Sequence, residues 1–250
     1  MKRILLLLCF CISTVVVSAQ ELVSTGTIEY EVKTNIYKTM GDDSWSERMK
    51  DNMSKFKTGY FSLQFTPSQS LYKFERWDAT QKIPSWYLYD DENAKYFFDN
   101  ENDTYNMQKS MYGFNFVVKD TIPAVKWKLE NETQVIAGYT CRKATGVMMD
   151  SIYIFAFYTD QIMSPTGPAS IGGLPGTILG MTIPRLFSSW IATKVTVTPT
   201  ASDKIKPIAS KKYYSTSEIL KVFKERAKEW SGSDVEDISR MQRMVWGAML

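Results

Sequence analysis

Several stretches of the 250-residue sequence hold residue types that could do chemistry. Ser70-Leu71-Tyr72-Lys73 has the S-x-x-K spacing of serine–lysine acyl-transfer enzymes, where nucleophile and lysine share one helical turn. Residues 71–77 (LYKFERW) read instead as a strand, and a three-residue step along a strand points the two side chains to opposite faces. Asp99-Asn100-Glu101-Asn102-Asp103 alternates acids like the start of a calcium loop, but Thr104 and Ser110 stand where such a loop needs Gly and Glu. An acidic hairpin turn is the expectation there. Cys141 lies beside Arg142 and Lys143, cations of the kind that lower a thiol pKa. In an alternating strand it shares a face with Tyr139 and Lys143 and reads as a small core residue. Met148-Met149 and the set Met241, Met244 and Met249 could offer thioethers to copper(I), although the second set equally suits a packing helix face. The sequence has no histidine, which excludes imidazole as base, acid or metal ligand. No catalytic residue, metal site or cofactor is assigned from these patterns.

Residues 167–181, GPASIGGLPGTILGM, carry five of the 13 glycines. A phosphate loop would place a lysine after the last turn glycine, but Gly176 is followed by Thr177-Ile178-Leu179, a β-type run. Leu174-Pro175-Gly176-Thr177 fits a type II turn, with proline presetting the second position and glycine accepting a positive φ at the third. Gly172 and Gly173 allow the chain to fold closely against a sheet before that turn. The window reads as a shaped reversal feeding a buried strand.

The elements that must position these residues are mostly strands. GTIEYEVK (26–33) alternates apolar and polar residues, the period of a half-buried strand. Trp45, Met49, Met53 and Phe56 fall at helical spacing and predict a short amphipathic N-terminal helix. Strand-like runs follow at 60–65, 71–77, 86–90, 95–99, 105–109 and 114–119, then at 125–130, 133–137, 139–147, 152–159, 177–183 and 189–198, divided by Pro, Asp, Asn and Gly. Even spacing without long helices predicts a mainly β protein, a curved antiparallel meander over residues 20–200. From 201 to 250 a polar connector leads to one or two helices that pack on the sheet. Ser215-Thr216-Ser217-Glu218 is a capping box ahead of Ile219, Phe223, Ala227 and Trp230, and Ser233-Asp234-Val235-Glu236 is a second one.

Gly173-Leu174-Pro175-Gly176-Thr177-Ile178 resembles the signature of the GLPGLI family of exported Gram-negative bacterial proteins, with Thr177 where the family has Leu. Family-like residues stand in order upstream: Trp127, then Gly138, Tyr139, Cys141 and Ala144, then Tyr158, Gly167 and Pro168. The resemblance implies an envelope protein of unassigned function, with no assigned catalytic residues to carry over. It also implies a half-barrel-like sheet similar to lipoprotein-carrier folds, whose concave face holds acyl chains, and companionship with outer-membrane transport systems.

Compartment and partner class follow from composition. Residues 1–19 have a basic head (Lys2, Arg3), an apolar run too short to span a bilayer, and a Val17-Ser18-Ala19 cleavage site, so a signal peptide is expected. Cleavage leaves Cys141 as the sole cysteine, and periplasmic, outer-membrane-associated or secreted residence without a disulfide follows. The formal charge of +3 lacks the dense basic stripe of a nucleic-acid binder, and no later segment suits an integral membrane span. The expected function is non-catalytic binding or chaperoning of an apolar ligand or a protein partner. An accessory module of an outer-membrane transport system and a carboxylate-dependent hydrolase are the alternatives.

Overall fold

The computed structural model describes residues 22–40, 44–111, 113–149, 151–169, 171–198, 205–230 and 246–247. The signal-peptide reading and the second capping box lie outside these residues. Eleven strands form one antiparallel sheet: β1 (Gly26–Asn35), β2 (Phe56–Phe65), β3 (Gln69–Trp77), β4 (Lys95–Asp99), β5 (Thr104–Met111), β6 (Phe114–Thr121), β7 (Lys126–Ile136), β8 (Tyr139–Met148), β9 (Ile152–Thr159), β10 (Thr177–Ile183) and β11 (Ser188–Val197). Among the described residues four named helices accompany them: α1 (Ile36–Thr39), α2 (Ser44–Lys50), α3 (Tyr89–Glu92) and α4 (Thr216–Trp230). The predicted mainly β, curved antiparallel architecture is what the chain adopts.

The strand order is β6-β5-β4-β3-β2-β1-β11-β10-β9-β8-β7, two meanders joined where β1 pairs with β11. That order makes β6 and β7 opposite edges, yet only residues 122–125 connect them. Such a link reaches at most about 18 Å. Eleven strands laid flat would hold the edges about 48 Å apart at ~4.8 Å per strand. The sheet must therefore curl until its edges approach at one end. Alternating side chains from strands all round it, among them Ile28, Tyr30, Leu63, Tyr72, Tyr96, Met107, Val118, Ile154, Met181 and Trp190, then meet in one core on the enclosed face.

Local chemistry explains the boundaries. Ala137 and Gly138, both at positive φ (50° and 87°), make the two-residue hairpin between β7 and β8, a type I′ reversal suited to strand twist. The runs at 125–130 and 133–137, read as two strands from sequence, are one strand with a register shift between Leu129 and Thr133. Residues 86–90 (WYLYD), read as a strand, instead form a 3-10 turn (Ser85–Tyr87) running into α3. Pro84 before the turn and Asp90, Asp91 and Glu92 at a helix N-terminus are start signals that override the aromatic β propensity. The predicted N-terminal helix is present as α2 but stops at Lys50, and Phe56 opens β2.

At the other end of the chain, the first capping box is formed. Ser215 N–H donates to Glu218 Oε2 at 2.7 Å, and Glu218 N–H returns to Ser215 Oγ at 3.3 Å. From β6, Asp120 Oδ2 accepts the Thr216 N–H at 2.8 Å. Ile219 and Phe223 of α4 enter the core, where Phe223 meets Phe116 edge-on with ring centroids 5.2 Å apart. Residues 205–214 cross the outer face, and Ile205 and Ile208 cover Phe97 and Val117 there. No described helix is long and apolar enough to cross a membrane.

Candidate functional site: a filled concave face and an aromatic rim

The concave face is where the sequence expected an apolar ligand. The segment between β9 and β10 occupies it. Ile162, Ser164, Thr166, Ala169, Ile171 and Leu174 are all buried, although the segment forms no helix or strand. Its hydrogen bonds reach across the bowl. Thr166 Oγ1 shares one with Ser70 Oγ on β3 at 2.8 Å, five strands from β9, and Trp127 Nε1 on β7 donates to the Gly172 carbonyl at 3.0 Å. The segment is tied to β10 by Ile178 N–H to Thr166 O (2.9 Å) and Thr177 Oγ1 to Ser164 O (2.6 Å). A buried loop is stable only when its backbone polar groups find partners. These bonds supply partners for Ser164 O, Thr166 O and Gly172 O, while the Ser164 hydroxyl is buried with no partner among the described residues.

The glycine window is the hinge of this plug. Gly176 N–H donates to Leu174 O at 2.8 Å, closing a γ-turn around Pro175 in place of the expected type II turn. Gly176 has φ +139°, and a Cβ on it would stand 2.1 Å from the Thr159 carbonyl oxygen. The glycine is there because two backbones touch. Gly173, at φ +83°, accompanies an N–H bond to Pro165 O at 3.2 Å, and Leu174 is buried beside it.

Of the remaining family-like positions, Gly167 and Pro168 belong to the plug, Tyr158 pairs with β10 beside it, and Gly138, Tyr139, Cys141 and Ala144 lie in the β7–β8 hairpin and on β8. Gly167 lies so close to Ile178 that a Cβ would come within 2.8 Å, and Pro168 is buried next to it. Ala144 pairs with Ala156, and Tyr158 with Ile178. Tyr30 Oη donates to the Ile178 carbonyl at 2.6 Å, satisfying a group at the register shift of β10. Cys141 is fully buried near the half-buried Tyr139, whose carbonyl accepts its thiol at 3.5 Å, and burial pushes its pKa up to about 11. That is the opposite of an activated nucleophile. The plug thus collects most of the sequence-highlighted residues, and their roles are packing, turning and hydrogen bonding.

The other chemical candidates separate. Ser70 faces the plug while Lys73 pairs outside with Glu75 at 2.9 Å, as opposite strand faces require. Asp99 accepts Asn102 N–H at 3.1 Å, Asn102 Nδ2 at 2.9 Å and Gln69 Nε2 at 3.2 Å, which makes the acidic run a hydrogen-bonded hairpin turn. Among the described residues no group of three His, Cys, Asp or Glu is placed to hold a metal ion.

Two features escaped the sequence reading. Lys109 of β5 is buried. Burial pulls its pKa down against the opposing pull of Asp91 and Asp90. Its ammonium donates to the Gly247 carbonyl at 2.6 Å, beside Trp246, which is buried in the core under Arg185. Asp91 in turn is ion-paired with Lys57. Burial alone would raise the Asp91 pKa, but Lys57 and Lys109 together hold it below the usual range. A lysine and a carboxylate with shifted pKa values are the raw material of acid–base catalysis, but here each already holds a structural partner.

The second feature is a rim of aromatics. Trp45 of α2 and Trp86 of the 3-10 turn are each 53% exposed with ring centroids 6.3 Å apart, and Tyr89 beside them is 61% exposed. Their base is anchored. Thr39 Oγ1 and Tyr87 Oη share a hydrogen bond at 2.7 Å, Tyr37 Oη donates to Met53 O at 2.8 Å, and Lys57 reaches Tyr87 O at 3.4 Å. The i, i+3 spacing of Trp86 and Tyr89 after a proline was the available signal, masked by reading 86–90 as a strand.

No family model matches the chain, and no curated protein does. Among solved structures it is similar to PNGF-II in a P21 crystal form, at 17% identity over 72% of this chain and 30% of that one, TM-score 0.48. The C2 form gives 14% identity over 90% and 33%, TM-score 0.49. The chain thus spans about a third of the length of PNGF-II. It is also similar to an uncharacterised conserved protein from Thermus thermophilus, at 8% identity over 75% of this chain and 88% of that one, TM-score 0.37. Such low identities, with TM-scores of 0.49 and below, leave function to be argued from the chain's own residues.

Proposed function

We propose that this is an exported, non-catalytic binding protein of the bacterial envelope, of the GLPGLI type, that engages a protein partner through its surface. The observation that carries the reading is the pairing of a filled interior with an anchored aromatic rim. An apolar ligand in the concave face would have to displace residues 162–169 and 171–174, which are hydrogen-bonded to β3, β7 and β10. Half-exposed tryptophans held by a rigid base are, by contrast, what protein interfaces use as anchors: large area, few rotatable bonds, little entropy to lose. The accessory-module alternative shares this chemistry and differs only in the identity of the partner.

The test is site-specific photocrosslinking in intact cells from position 45 or 86, with exposed Lys194 on β11 as the control site. A discrete adduct from 45 and 86, absent from 194 and lost in the Trp45→Ala/Trp86→Ala double variant, supports the reading. Equal labelling from all three sites, or a lipid-sized mass retained by the gently purified protein in native mass spectrometry, overturns it.

A further inference from the structure

A recess lies on the outer face, where Asn93, at the C-terminal end of α3, faces the segment 209–214. Where residues 209–214 run alongside β5 and β6 they leave a groove of about 470 Å³. That volume falls within the roughly 300–1,000 Å³ of small-molecule sites. Its walls carry three amides (Asn93, Gln108, Asn115), two ammonium groups (Lys211, Lys212) and the ring of Tyr214, and among the described residues no carboxylate lines it.

The walls are fixed before any ligand arrives. Tyr214 is bonded into the β6 edge in both directions: its N–H donates to Val117 O and its carbonyl accepts Lys119 N–H, each at 2.9 Å. Ser210 closes the segment on itself, with N–H to Tyr213 Oη at 3.0 Å and Oγ to Lys212 O at 2.6 Å. On the sheet side, Gln108 Nε2 donates to Asn93 O at 3.3 Å, and Ser110 bonds Asn115 Oδ1 while accepting Asn93 Nδ2 at 3.4 Å. This network orients the amides and leaves each with unused capacity, the Gln108 carbonyl oxygen and the Asn115 amide hydrogens among it. Lys212 Nζ lies 4.4 Å over the Tyr214 ring, and Glu218, an acid within reach of its charge, is held by the Ser215 capping box.

The chemistry selects the ligand. Two ammonium groups without a lining carboxylate call for an anion. Amides that both donate and accept match the several hydroxyl groups of a sugar, which do the same. We infer that this groove is a binding site for an acidic saccharide, its carboxylate on Lys211 and Lys212 and its hydroxyls on Asn93, Gln108 and Asn115. The inference is independent of the rim, since neither site shares a residue with the other.

The test is calorimetric titration of the mature protein with di-galacturonate, with neutral galactobiose and inorganic phosphate as comparison probes. Saturable binding of the uronate is expected, at least tenfold tighter than either comparison probe. Lys211→Ala/Lys212→Ala weakens it tenfold or more, and Asn115→Ala weakens it severalfold. All these positions are exposed, so an unchanged thermal melt certifies the fold of each variant. Equal binding of uronate and neutral sugar overturns the inference, as does phosphate binding as tightly as the uronate. A double variant that binds like the parent, or no binding by any probe, does so too.

Discussion

Gly176→Ala tests whether the plug is locked in place by backbone contact. The variant places a methyl group 2.1 Å from the Thr159 carbonyl oxygen and 2.7 Å from its carbon, and neither atom belongs to a flexible side chain. It also forces an L side chain to φ +139°. Backbone strain of this kind costs about 1–3 kcal/mol. Forcing extra volume into a packed contact adds about 1–3 kcal/mol, for a total of roughly 2–6 kcal/mol. At about 3 °C per kcal/mol for a chain of this size, the melting temperature falls by about 6–18 °C. The matched control is Gly138→Ala: φ is +87°, but nothing lies within 4 Å of the new methyl, so only the backbone strain remains. Urea unfolding followed by tryptophan fluorescence should therefore rank Gly176→Ala below Gly138→Ala by at least about 1 kcal/mol. Equal destabilisation of the two variants would refute the contact between residues 159 and 176, and with it the account of why the glycines cluster.

Three further outcomes are expected. Thr166→Val leaves the Ser70 hydroxyl buried without its partner across the bowl and should destabilise by about 1–3 kcal/mol. The double variant with Ser70→Ala should recover part of that loss in the same urea titration. Cys141, fully buried and with its pKa pushed up to about 11, should resist a thiol reagent at pH 8 in the folded protein and react once urea unfolds the chain, because burial withholds both access and the thiolate. Since the folded pKa is the higher one, its contribution is complete below pH 9 and is lost as pH rises through 11. Asp120 has the opposite sign. Burial would raise its pKa, but the Thr216 and Thr121 N–H groups it accepts lower it, so its contribution holds above 3.8 and is lost as pH falls through the folded value. Asp120→Ala should weaken the docking of α4 by about 0.5–2 kcal/mol and flatten the acid limb of a pH–stability curve.

The strands, the hairpin turns and the α4 capping box could be read from the sequence because each depends on neighbours a few residues away. Alternation of Ile28, Tyr30 and Val32 fixes a face, and Ser215 and Glu218 find each other within one turn. The glycine window could be recognised as a place where backbones approach, since nothing but close contact or a positive φ explains so many glycines. In residues 86–90 aromatic content points to a strand while Pro84 and the acidic run 90–92 point to a helix start, and with no residue of the segment buried the helix start prevails. What sequence could not supply is which strands become neighbours in a curled sheet. Nothing local places β1 between β2 and β11, brings the β6 and β7 edges together, or sends residues 162–169 and 171–174 into the bowl to meet Ser70, 96 positions from Thr166. Those outcomes depend on accumulated twist and on the free energy of covering one large apolar face, both properties of the assembled sheet. The same holds for the aromatic rim and the amide-lined groove, whose members come from separate segments and acquire a common purpose only in three dimensions.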